Sequence, residues 1–131
     1  MQTSPTDLFA SALRLREGGL VNAEERRMSG DHDGWTVAAF HAETDEDIHA
    51  DYWEMHPESE EAVCVLAGGA RVFLRPEDPT AAGDEKAATL TAGTAFIVPR
   101  GRWHRLELDG PSDLMSIGLR RGTRLEKRTA G

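Results

Sequence analysis

From Gly34 onward the chain breaks into short runs of β-branched, aromatic and aliphatic residues, each closed after a few positions by Gly, Pro or Asp. That punctuation leaves no room for an amphipathic helix of ordinary length and reads as an all-β sandwich or barrel. Candidate strands fall at 35 to 41, 48 to 55, 61 to 67, 70 to 75, 86 to 91, 94 to 98, 103 to 109 and 113 to 120. Gly68-Gly69, set between two apolar runs, reads as a two-residue hairpin turn. The stretch from Pro76 to Glu85 is rich in Asp, Glu, Pro, Ala and Gly and reads as an exposed loop.

Upstream of this texture the pattern differs. Thr6 stands as a capping residue before apolar positions 8, 9, 12, 13 and 15, and the run stops at Gly18-Gly19. This predicts a short N-terminal helix. The expected organisation is an N-terminal helix and arm over 1–34, one barrel over 35–120 and a solvated C-terminal tail over 121–131. A chain of 131 residues is long enough to bury one core without disulfides or structural zinc. The single cysteine, Cys64, lies within the apolar run Ala62-Val63-Cys64-Val65-Leu66 and reads as a small buried thiol.

Two spacings carry the chemistry. In the first, Glu54-x-His56 is followed by four residues, Glu61, six residues and Gly68. In the second, Gly93 is followed by five residues, Pro99-Arg100-Gly101, two residues and His104. Together they resemble the two motifs of the cupin superfamily, which is a family of double-stranded β-helix (jelly-roll) barrels. The resemblance implies that His56, Glu61 and His104 hold a metal ion, with Glu54 where the family usually has its first His. The family's usual Asn, separated from the last His by three residues, is replaced here by Leu108. The text Trp53-Glu54-Met55-His56-Pro57 looks like a branch of bacterial cupins in which that Glu is usual.

Strand geometry supports the same grouping without the resemblance. Alternate side chains of a strand share a face, so Ala50, Tyr52, Glu54 and His56 point one way, while His49 and Trp53 point the other. Two imidazoles and two carboxylates form an N2O2 set suited to one divalent ion such as Fe, Mn, Zn, Ni or Co, with softer Cu(I) disfavoured. Glu54 is either the fourth ligand or a base and hydrogen-bond acceptor behind His56. Glu60 is the rival of Glu61 in the acidic stretch Glu58-Ser59-Glu60-Glu61. Tyr52 and Arg102 are expected to orient a substrate, Arg102 as a fixed positive charge or else a solvent-facing loop arginine. Trp53 and Trp103 are expected to pack outside the barrel.

The resulting expectation is a metal-dependent enzyme acting on a small organic molecule, of dioxygenase, isomerase, decarboxylase or cyclase type as the resemblance implies. The alternatives are a non-catalytic module that binds a small ligand or metal, and a barrel whose ligand set has decayed. A net charge of −8 argues against nucleic acid or an anionic membrane as partner. The basic residues Arg120, Arg121, Arg124, Lys127 and Arg128 read as part of the tail. No basic, apolar leader opens the chain and no apolar run reaches a bilayer's thickness, which predicts a cytoplasmic protein. A homodimer is expected, because small barrels tend to cover their exposed edges.

Overall fold

The computed structural model describes residues 4–26, 34–78, 80 and 85–129. Among the described residues eleven strands run in the order β1 (Ser11–Arg16), β2 (Leu20–Glu25), β3 (Trp35–Ala42), β4 (Tyr52–Met55), β5 (Glu61–Ala67), β6 (Gly69–Leu74), β7 (Glu85–Thr91), β8 (Thr94–Val98), β9 (His104–Leu108), β10 (Ser112–Gly118) and β11 (Arg124–Lys127). They form a six-stranded sheet, β2-β1-β3-β10-β5-β8, and a five-stranded sheet, β11-β4-β9-β6-β7. Every pairing is antiparallel. The core lies between the sheets, where Val63 and Val65 of β5 and Leu114 of β10 meet Val72 and Leu74 of β6 and Leu108 of β9. Each contributes alternate side chains inward, as a half-buried strand dictates.

The expected N-terminal helix is a β-hairpin. Ala12 and Arg14 are buried and Leu15 is exposed, a period of two and not of 3.6. Gly18 and Gly19, at φ +82° and +78°, close the turn that lays β2 on β1. The apolar residues of this segment satisfy either pattern, and the open edge of β3 decides between them by pairing Leu13 with Val37. Thr6 precedes a turn at residues 8–10, not a helix.

Gly68-Gly69 does not make a hairpin either. Its flanking strands belong to different sheets, β5 pairing with β10 and β8 and β6 with β7 and β9. The glycine is needed for a close approach at this crossover: Gly68 has φ +85°, and a Cβ there would lie 2.6 Å from the Pro111 carbonyl oxygen. The strand expected over 48 to 55 begins late, because Asp45–Ile48 forms a 3₁₀ turn that His49 ends in a left-handed conformation at φ 51°. At the C-terminus, Arg124–Lys127 pairs with β4, so part of the expected tail is a sheet edge with exposed side chains. The sheets thus extend past residues 35–120 at both ends. Of the loop expected from Pro76 to Glu85, Glu77, Asp78 and Thr80 are exposed, and 79 and 81–84 lie outside the described residues.

The two faces of the larger sheet differ. Inward, β10 presents Gly118 and Ser116 beside Thr36 and Ala38 of β3 and Glu61 and Val63 of β5. These small residues leave room between the sheets. Outward, Val21, Leu15 and Trp35 stand side by side across three strands, and all three are exposed.

Candidate metal centre

β4 and β9 are adjacent, with Glu54 directly opposite His104. β5 brings Glu61 from the facing sheet, and His56 follows the end of β4. Glu54, His56, Glu61 and His104 therefore converge, with one ligand atom from each lying within 4.8 Å of all the others. His56, Glu61 and His104 are buried and the Glu54 side chain is 28% exposed. Glu60, the rival carboxylate, points to solvent.

His56 Nε2 lies 3.2 Å from Glu54 Oε1 and 3.2 Å from Glu61 Oε2. Even so it is a buried polar atom without a hydrogen-bond partner, aimed between the two oxygens. His104 Nε2 lies 3.0 Å from Glu61 Oε1 and 3.7 Å from Glu54 Oε1. An imidazole nitrogen that makes no hydrogen bond while facing two carboxylates is an arrangement a cation satisfies. The four residues fit a divalent ion.

The far side of each ring is fixed. His56 Nδ1 lies 2.8 Å from Thr123 Oγ1, and that hydroxyl donates its single proton to the Arg120 carbonyl at 2.6 Å. Oγ1 must therefore accept from Nδ1–H, which leaves the Nε2 lone pair of the neutral ring facing the carboxylates. His104 Nδ1 likewise donates to the Arg102 carbonyl at 3.2 Å. Such contacts orient ligating imidazoles and raise their basicity.

Without an ion the cluster is held by its own charges. Burial opposes a charge on His56, but the two carboxylates 3.2 Å from its Nε2 outweigh this and raise the imidazole to about 9. Burial pushes Glu61 up, yet the two imidazoles hold its carboxyl far below the usual range. Glu54 is also pushed up by burial, and the neighbouring His56 imidazole and the Arg120 charge bring it below its ordinary value.

The site opens on a cavity of about 460 Å³, lined by Tyr52, Phe40, Ile48 and Leu106 among others. Tyr52 is thus where parity placed it, edge-on to His49 with ring centroids 6.4 Å apart. Arg102 is not on the cavity wall. Its guanidinium turns away to Glu77 at 3.3 Å and the Arg75 carbonyl at 3.2 Å, because the residues before β9 are not yet in strand register with His104. The positive charge at the cluster is Arg120, whose Nη2 lies 3.3 Å from Glu54 Oε2 and whose Nη1 lies 3.9 Å from Glu61 Oε2. Arg120 and Thr123 escape sequence reasoning, since they lie more than 60 positions from Glu54 and His56 and no motif spacing joins them. Trp53 and Trp103 sit under arginine side chains, with the Arg105 guanidinium 5.5 Å from the first ring and Arg75 5.0 Å from the second. Burial raises the Cys64 thiol, which agrees with an inert residue.

The sequence matches no family model and no curated protein. Among solved structures, hydroxypropylphosphonic acid epoxidase from S. wedmorenis is similar with a TM-score of 0.51 and 17% identity over 64% of this chain and 42% of its own. Oxalate decarboxylase from Bacillus subtilis is similar with a TM-score of 0.51 and 18% identity over 71% of this chain and 23% of its own. The epoxidase has also been solved as an Fe(II) form with an alternative substrate, similar at a TM-score of 0.50. The chain spans 42% and 23% of the length of the first two. Two facing antiparallel sheets, the two motif spacings and this structural likeness together show that the chain has the cupin fold.

Proposed function

We propose that this protein is a mononuclear divalent-metal enzyme acting on a small organic molecule within the cavity between its sheets. The observation that carries the reading is His56 Nε2, buried, unpartnered and facing two carboxylates and a second imidazole. His56, His104 and Glu61 would hold the ion. Glu54 would hold it through Oε1 while Oε2 stays with Arg120, or would serve as the base beside it. When bound, such an ion supplies Lewis acidity or a site for dioxygen chemistry. The chain's own residues do the rest. Thr123 and the Arg102 carbonyl keep both imidazoles in the ligating tautomer, Tyr52 offers a hydroxyl at the cavity wall, and Phe40, Ile48 and Leu106 exclude water around an apolar body. The two enzymes similar in fold act, by their names, on small acids, and that likeness favours an enzyme over a passive binding module only as analogy.

The test is metal analysis of untagged protein, repeated on His104→Ala and Glu54→Ala. About one ion per chain in the wild type, lost in His104→Ala, is expected. Substoichiometric metal in the wild type that is unchanged in both variants would overturn the reading. For the homodimer, we infer that a second copy covers the outward face carrying Val21, Leu15 and Trp35, since contiguous exposed apolar side chains mark association surfaces.

A further inference from the structure

Arg120 stands out in the cluster because both of its acidic partners are candidate metal ligands. Its guanidinium reaches Glu54 at 3.3 Å and Glu61 at 3.9 Å, and its side chain is 34% exposed. In the ion-free site the two carboxylates compensate it. A divalent ion changes that balance: the ion and the two carboxylates cancel, both imidazoles are neutral as ligands, and the guanidinium charge is left over.

Two other cations along the cavity are engaged elsewhere. Arg14 is held by Glu24 at 2.7 Å and donates to Thr36. Arg105 is held by Glu107 at 2.6 Å and lies 4.3 Å over the Phe73 ring. Arg26 donates to the Leu8 carbonyl at 2.9 Å and its buried Nε has no hydrogen-bond partner, whereas Arg120 is the cation paired with Glu54 and Glu61. Room exists beside Arg120 as well. Glu61, Ser116 and Arg120 itself line the cavity here, so a small molecule can lie against Ser116 within reach of both the ion and Arg120.

Resting on the metal reading above, we propose that Arg120 is the receptor for the acidic group of the ligand, and that the loaded site takes small organic monoacids whose carboxylate sits between the ion and the guanidinium. One surplus positive charge in a partly enclosed site matches a monoanion better than a neutral molecule or a dianion, and the planar fork of guanidinium suits a carboxylate. A neighbouring apolar wall of Phe40, Ile48 and Leu106 accepts the rest of the ligand.

The experiment uses Co(II)-loaded protein, read by the visible absorption of the ion, in the wild type and in Arg120→Gln and Arg120→Lys. Co(II) titration alone reads the metal site, and failure to bind Co(II) in the wild type refutes the metal reading by itself. Glycolate, glycolamide and inorganic phosphate are then titrated into loaded protein at pH 7.5. Glycolate is expected to perturb the spectrum with at least tenfold weaker affinity in Arg120→Gln than in the wild type, with Arg120→Lys between them. Co(II) affinity in Arg120→Gln is expected to be unchanged or tighter, because a neighbouring cation is gone. Equal glycolate affinity in wild type and Arg120→Gln would overturn the role of Arg120 while leaving the metal site standing. Glycolamide or phosphate binding more tightly than glycolate would overturn the monoacid class.

Discussion

Thr123→Val deletes a hydroxyl that no motif points to, and its effect on metal affinity can be worked from the geometry. Thr123 Oγ1 accepts from His56 Nδ1–H at 2.8 Å and donates to the Arg120 carbonyl at 2.6 Å. Valine has nearly the same shape, so the substitution removes both bonds while leaving the packing close to intact. His56 is 4% exposed, so its Nδ1–H has no route to water and the neutral ring loses its fixed orientation. Losing a contact behind a ligating imidazole costs about 10–100-fold in metal affinity, which corresponds to roughly 1.4–2.7 kcal/mol. Thr123→Ser keeps the hydroxyl and is expected to stay within about threefold of wild type. Competition against a chromophoric chelator measures the Zn(II) dissociation constant of each form, and thermal melts of the ion-free proteins report any general loss of stability. If Thr123→Val binds Zn(II) as tightly as wild type while His56→Ala does not bind it, His56 is held by something other than this hydroxyl and the tautomer argument fails.

The titration of the ion-free cluster carries a pH prediction. His56 rises from 6.5 to about 9, so at neutral pH its proton must leave when an ion binds. Calorimetry in buffers of different ionisation enthalpy should show about one proton released at pH 7.5, with apparent affinity rising up to tenfold per pH unit until about pH 9. No proton release would place the charge elsewhere. For stability the sign is opposite: a raised pKa stabilises the ion-free fold below the unfolded value of 6.5, and roughly 3 kcal/mol is lost as pH climbs to about 9. Glu54 and Glu61, both held below their ordinary values, stabilise it above the carboxylate range and lose that contribution in acid. Gly68→Ala forces a side chain into φ +85° and against the Pro111 carbonyl. It should cost about 1–2 kcal/mol from the backbone alone, a fall in Tm on the order of 5 °C, and an unchanged melt would refute the close approach. Trp35→Glu should shift the protein to a monomer in light scattering if a second copy covers the outward face, and an unaltered dimer would put the contact elsewhere.

By itself the sequence determined the β texture, the strands at Glu61–Ala67 and Thr94–Val98 with their bounds, and the convergence of His56, Glu61 and His104. These are readable because a strand alternates its faces and because turn glycines and prolines fix where it begins. The sequence could not decide the N-terminal segment, whose apolar residues fit a helix and a strand alike until β3 offers an edge to Leu13. Nor could it tell a hairpin glycine from a crossover glycine at Gly68, since both need the same backbone and differ only in which sheet receives the next strand. The polar surroundings of the site belong to tertiary structure altogether. Arg102 is near His104 in sequence yet reaches Glu77, whereas Arg120 and Thr123 arrive from the segment joining β10 to β11. Local periodicity encodes which way a side chain points, and only the closed sheets decide what it meets there.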